Sequence, residues 1–188
     1  MLGINFKVTE RDQDVKGFIS IKSIEASKFI NLSSAKLLDE HLADASGTYH
    51  YISNGKVSSY QMINYFLDRF KEPATLHVTT WGMTELALRQ MATRKASGMI
   101  KDIYFVFSEQ IKVNKANEYQ LATSIAGGFK KHPCHAKIYL IKSDSYQVSI
   151  ITSANLNRNN KMEAGSICFD KNIYQGFSSY LNELINGN

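Results

Sequence analysis

Between Gly47 and Lys130 two hydrophobic periods alternate, and this alternation restricts the available folds more than any other feature of the chain. "TYHYIS" has the look of a strand and runs into the turn "SNGK". "SSYQMINYFLDRF" then repeats at helical spacing, with Met62, Tyr65, Phe66 and Phe70 on one side and Pro73 beyond it as a stop. "ATLHVTTW", closed by Gly82, predicts a strand. "MTELALRQMATRKASG" predicts a helix with a capping signature at Thr84 and an end at Gly98. "IKDIYFVFS" reads as a strand, and "NEYQLATSIAGGF" as a helix weakened near its end by Gly127 and Gly128. Strands that alternate with helices build a sheet with parallel pairing, covered by helices on both faces.

After Lys130 the pattern changes. "HAKIYLIK" and "YQVSIITSA" are strand-like and are joined only by "SDS", so they are expected to pair antiparallel. "AGSICF" predicts a last short strand and "IYQGFSSYLNELI" a last helix. The expected fold is therefore α/β, with a mixed, largely parallel sheet flanked by helices on both faces. Before residue 46, "GFISIKSI" suits a short strand. "SSAKLLDEHLADA" suits a helix capped by Ser33 or Ser34, with Leu37, Leu38 and Leu42 on one face. Residues 1–45 read as an N-terminal extension of unclear role packed on the core, and residues 46–188 as the main domain.

Bulk composition agrees with one compact unit. The chain has 188 residues, 44% of them hydrophobic, including 10 Phe and 10 Tyr, which is enough apolar material for a core. No apolar run approaches the roughly 18–20 residues that span a bilayer. The first residues, "MLGINFKVTERDQDVKGF", lack the basic-then-apolar order of a signal peptide. Cys134 and Cys168 form no CxxC pair, which fits a reducing compartment better than a disulfide framework. The expectation is a soluble, cytoplasmic protein with no membrane association.

Charge is concentrated. Between Lys130 and Lys161 stand six basic residues (Lys130, Lys131, Lys137, Lys142, Arg158, Lys161) and one acid, Asp144. A positive field of this kind suits an anionic partner, and phosphate is the obvious one, although a solvated basic surface would look the same. Within this stretch His135 and Lys137 stand two residues apart at the head of one apolar run, and Ser153 and Asn155 at the tail of the next. Residues i and i+2 of a strand point to the same side. Placing a histidine and a lysine against an apolar sheet is costly unless something compensates, and phosphate would. Trp81 and Thr80, at the end of "ATLHVTTW", lie where open α/β sheets bind ligands. Trp81 can stack on a base or line a groove, and it suits core packing equally well. "HPCH" with Cys168 offers metal-type ligands without the paired spacing of a structural zinc site. "AGGFKK" follows a helix rather than a strand, unlike a phosphate loop.

"HAK" at 135–137, "TSAN" at 152–155 and Glu163 in "NRNNKMEAGSI" together resemble the phospholipase D superfamily. His135 and Lys137 match its HxK, Ser153 and Asn155 its Ser and Asn, and Glu163 its trailing Glu. Two positions depart from the pattern: Lys142 stands where an Asp is usual, with Asp144 out of register, and Thr152 replaces a Gly. The resemblance implies a phospholipase D-like catalytic domain over 46–188 and a metal-independent phosphodiesterase without cofactor. The basic character points to a nuclease acting on DNA or RNA; a phospholipase or phosphatidyltransferase, or an inert nucleic-acid-binding module, are the alternatives. By the same resemblance His135 is the nucleophile, Lys137 and Asn155 hold phosphate oxygens, Ser153 supplies a hydrogen bond and Glu163 orients an imidazole. Trp81, Thr80, Lys131 and Arg158 would contact substrate. The chain holds a single HxK, whereas the family's chemistry takes two histidines, so the resemblance also implies a homodimer with the site at the interface.

Overall fold

The computed structural model describes residues 27–32, 36–42, 46–158 and 160–187. Eight strands and six helices follow in the order β1 (Ser27–Asn31), α1 (Lys36–His41), β2 (Thr48–Asn54), α2 (Ser59–Phe70), β3 (Ala74–Thr80), α3 (Glu85–Ala96), β4 (Ile100–Phe107), α4 (Ile111–Asn114), α5 (Ala116–Ile125), β5 (Gly128–Lys131), β6 (Ile138–Lys142), β7 (Gln147–Thr152), β8 (Met162–Cys168) and α6 (Lys171–Asn186). The strands form one sheet in the order β1-β2-β8-β7-β6-β3-β4-β5.

The mixed α/β sheet with helices on both faces is as the sequence predicts. Its share of parallel pairing is smaller than expected. Parallel ladders join β1 to β2, β3 to β4 and β4 to β5, while β2-β8-β7-β6-β3 pair antiparallel throughout. The short link 143–146 sets this centre, because it can only return the chain alongside itself. β1 belongs to the same sheet and pairs with β2 from Ser27↔Thr48 to Asn31↔Ile52, so the segment before residue 46 supplies an edge strand as well as the packed helix α1. The strand predicted in "GFISIKSI" and the caps at Ser33 and Ser34 lie outside the described residues.

Amphipathic helices close the sheet. In α2, Met62, Ile63, Phe66, Leu67 and Phe70 are buried, and burying each such side chain fully is worth about 1.5–3 kcal/mol. Ser58 and Gln61 form a reciprocal capping box at its start. Thr84 caps α3 by backbone conformation alone; its side chain makes no capping bond, and its N–H is instead donated to Leu156 O at 3.1 Å. The main core lies on the α2–α3 side, and a smaller cluster of Val106, Leu140, Tyr174 and Leu181 seats α6 on the other face.

Gly127 and Gly128 do more than weaken a helix. The helix stops at Ile125 and Gly128 opens the edge strand β5, which the sequence reading missed. A Cβ at Gly128 would sit 3.2 Å from the Tyr104 ring and 3.3 Å from Ile185, so glycine lets β5 close against β4 beneath α6 without displacing either side chain. Among the described residues no helix is long and apolar enough to cross a membrane.

Candidate functional site

Strand direction gathers the singled-out residues at one end of the sheet. β3 and β7 finish at this end, and β6 and β8 start from it, because their mutual pairings are antiparallel. Thr80 and Trp81 leave β3 there, Ser153 to Asn155 leave β7, Lys137 leads into β6, and Glu163 opens β8.

His135 and Lys137 are not alternate residues on a flat strand, as the sequence suggested. Ladder pairing begins only at Ile138. Just before it the Thr79 hydroxyl stands in for a ladder bond, accepting from Ile138 N (2.8 Å) and donating to Ala136 O (3.2 Å). On the other side Thr152 N donates to Lys137 O at 3.0 Å. His135 is exposed, whereas Lys137 is only 6% exposed and folds back on it. The Lys137 ammonium lies 3.0 Å from His135 Nδ1, 3.3 Å from Nε2 and 2.7 Å from the His135 carbonyl oxygen. Burial pulls the Lys137 pKa below the ordinary lysine value, partly opposed by Cys134 and Glu163. The ammonium sits among acceptors, and among the described residues no carboxylate forms an ion pair with it.

One strand over, Ser153 Oγ donates to Glu163 Oε2 and accepts from Ala164 N at 3.1 Å. The loop bearing Ser153 and Asn155 is held from beneath. Thr152 Oγ1 receives the Tyr51 hydroxyl at 2.7 Å, donates to Ala164 O and accepts from Ala154 N. Tyr139, fully buried, donates to Ala154 O at 2.8 Å. Burial pushes the Tyr51 hydroxyl up to about 12 and raises that of Tyr139 as well, so both stay protonated as donors. Asn155 is held through its backbone, which accepts from the Ser59 hydroxyl at 2.7 Å.

Thr80 is tied into the protein itself. It has no exposed surface, and its hydroxyl donates to Gly82 O at 2.6 Å and accepts from Leu156 N at 3.2 Å. It ties the end of β3 to the loop after β7 and approaches Asn155 Oδ1 at 3.5 Å. Trp81 is 43% exposed, with its ring centroid 6.3 Å from that of His135 at 48°. Lys131 ends β5, two strands beyond β3, and Arg158 follows Asn155 in its loop; both are exposed. Lys142 and Asp144 lie at the opposite end of β6, Asp144 paired with Lys101 at 3.2 Å, so the basic run of the sequence is divided between the two ends of the sheet.

Sequence reasoning missed the support beneath the site: Thr79, Thr152, Tyr51, Tyr139 and Ser59. Only Thr152 carried a signal, as a hydroxyl in the place of a glycine. Chemically, the arrangement combines an exposed imidazole, a desolvated ammonium, a carboxamide and a hydroxyl–carboxylate pair, the set of groups that binds and works on an oxyanion. Among the described residues no group of three or more His, Cys, Asp and Glu is placed to hold a metal ion.

No family model matches the sequence, and no curated protein does. Among solved structures the chain is similar to the polyphosphate kinase of Porphyromonas gingivalis, at 10% identity and a TM-score of 0.49 over 73% of this chain and 22% of that one. It is also similar to TrmBL2, an archaeal chromatin protein whose structure shows a novel mode of DNA binding, at 8% identity and a TM-score of 0.45 over 79% of this chain and 54% of that one. The chain thus spans about a fifth and about half the length of these two chains.

Proposed function

We infer that the protein is a metal-independent phosphodiesterase of phospholipase D type, acting on nucleic acid as a homodimer. One observation carries this reading: Lys137, buried and in no carboxylate ion pair among the described residues, places its ammonium on the exposed imidazole of His135. A phosphodiester is a suitable counter-ion for that ammonium. Its arrival would exchange the contacts between Lys137 and the imidazole for contacts to a non-bridging oxygen and free a ring nitrogen to attack. The resemblance of "HAK", "TSAN" and Glu163 supports the same roles.

In the reaction His135 attacks phosphorus and the P–O bond to the leaving group breaks. His135 of the partner subunit gives that oxygen its proton. Water then attacks the phosphohistidine, passes a proton to the partner subunit's His135 and releases His135. Lys137 and Asn155 hold the negative charge as it builds. Ser153 and Glu163, already bonded to each other, fix one wall of the site. Lys142 does not weigh against this chemistry, because its position is a strand's length from His135.

The test is cleavage of single- and double-stranded DNA, of RNA and of a simple diester in EDTA, beside His135→Ala. Cleavage that resists EDTA and is lost in the variant supports the reading. Cleavage that persists in the variant, or that requires added metal, overturns it. A purely monomeric protein at assay concentration overturns the two-histidine step.

A further inference from the structure

Trp81 is the only tryptophan of the chain, and the proposed reaction steps do not use it. Its indole is 43% exposed although it follows a buried strand, and it lies beside the His135 ring rather than beneath the sheet. Its backbone is clamped. Gly82 N donates to Thr80 Oγ1 at 3.3 Å, Thr80 Oγ1 to Gly82 O at 2.6 Å, and Leu156 N to Gly82 O at 3.0 Å. The clamp holds the backbone on both sides of a large, partly exposed aromatic ring, which lowers the ordering cost when something stacks on it.

We propose that Trp81 is a stacking platform for an unpaired base next to the phosphate at His135, so that the site takes single-stranded rather than duplex nucleic acid. The proposal rests on the phosphodiesterase reading and names its substrate class. The indole and imidazole centroids are 6.3 Å apart, so a phosphate held at His135 has the indole as a near neighbour and its base can turn onto that ring. In a duplex both faces of each base are covered by neighbouring bases, so a protein ring beside the backbone finds no free face unless the base is extruded. A single strand offers free faces, and stacking on an aromatic side chain is worth about 1–3 kcal/mol per base. Exposed Lys131 and Arg158, at the same end of the sheet, suit the backbone of such a strand.

Because Trp81 is the sole tryptophan, its fluorescence reports this contact directly. The full-length His135→Ala protein is titrated with a short oligothymidylate, a short oligouridylate, an abasic oligomer of equal length and a blunt duplex. Quenching by either or both single strands, and by neither the abasic oligomer nor the duplex, is the expected result; which strand quenches assigns the sugar. In the otherwise wild-type protein, Trp81→Ala raises the KM for a single strand about 5- to 150-fold. Trp81→Phe recovers part of the loss, and far-UV circular dichroism confirms that both variants are folded. Equal quenching by duplex or by the abasic oligomer overturns the proposal. A wild-type protein that cleaves no diester defeats the phosphodiesterase reading itself. Cleavage of single strands with an unchanged KM in Trp81→Ala defeats only the role of Trp81.

Discussion

The ammonium of Lys137 rests 3.0 Å from Nδ1 of His135 and 2.7 Å from the carbonyl oxygen of the same residue. A buried cation thus leans on an exposed imidazole, and the pair comes from residues only two apart. The chain achieves this by leaving the ladder before Ile138, with Thr79 bonding in its place.

Lys137 titrates below the ordinary lysine value of 10.5 because burial disfavours its charge. Folding therefore favours its neutral form, and stability from this group rises as pH climbs through its lowered pKa toward 10.5. Under the proposed phosphodiesterase function activity runs the other way, since the charge would hold the phosphate. Cleavage rate should fall on the alkaline side at a pH below 10.5. Lys137→Arg, whose guanidinium stays protonated, should abolish that limb even at a lower maximal rate. Lys137→Met should lose about 10²–10³ in kcat. An alkaline limb that persists unchanged in Lys137→Arg assigns it to another group.

Lys142→Asp would restore the acid usual in the motif. β6 runs from Ile138 to Lys142, which places residue 142 about 16 Å along the strand from Lys137. The substitution should leave kcat/KM within about twofold, as for a surface change away from the site. A large gain in rate would mean that residue 142 acts on the chemistry after all.

Gly165 lies opposite Thr152 in the β7–β8 ladder. A Cβ there would clash with Ile151 O and meet the Tyr51 hydroxyl at 2.9 Å and Thr152 Cα at 3.0 Å. Two of these neighbours are backbone and cannot step aside. Gly165→Ala should cost about 1–3 kcal/mol in urea unfolding. It should also slow cleavage, because the Tyr51–Thr152 bond that supports Ser153 is displaced. A variant with wild-type stability would show that the two strands can separate at little cost.

His77 is buried at 5% exposure, bonded through Nε2 to Asn182 Oδ1 at 2.8 Å, with Nδ1 unpartnered. Burial lowers its pKa below 6.5, and the bond to Asn182 offsets part of this. The unfolded chain then takes up the proton at a higher pH than the folded one. The stability contributed by neutral His77 is present above about 6.5 and is lost as pH falls through that value toward the folded pKa. Thermal melts between neutral and mildly acid pH should fall more steeply for the wild type than for His77→Gln. Parallel curves would assign the acid sensitivity to other groups.

Most elements were legible because their hydrophobic period is strong. α2, β3, β4 and β7 fall within a residue or two of their expected places, while β6 begins at Ile138, three residues later than expected. β5 was not legible, since "GFKK" has no apolar alternation and becomes a strand only by docking on β4. The bonds of Thr80 were not legible for a similar reason: a hydroxyl at a strand's end suits a ligand and a buried clamp equally well, and its partners come from a loop distant in sequence.

Residue order alone is enough to specify the alternating elements, the antiparallel return at 143–146 and the polar residues at the strand ends, since all of these follow from local period and spacing. The packed sheet decided the rest. It brought the start of β6, the end of β7 and the start of β8 to one end, carried Lys142 to the other, and turned Lys137 inward onto His135. Those outcomes depend on which strands become neighbours and in which direction they run, and that is set by burial of the whole core rather than by any one segment.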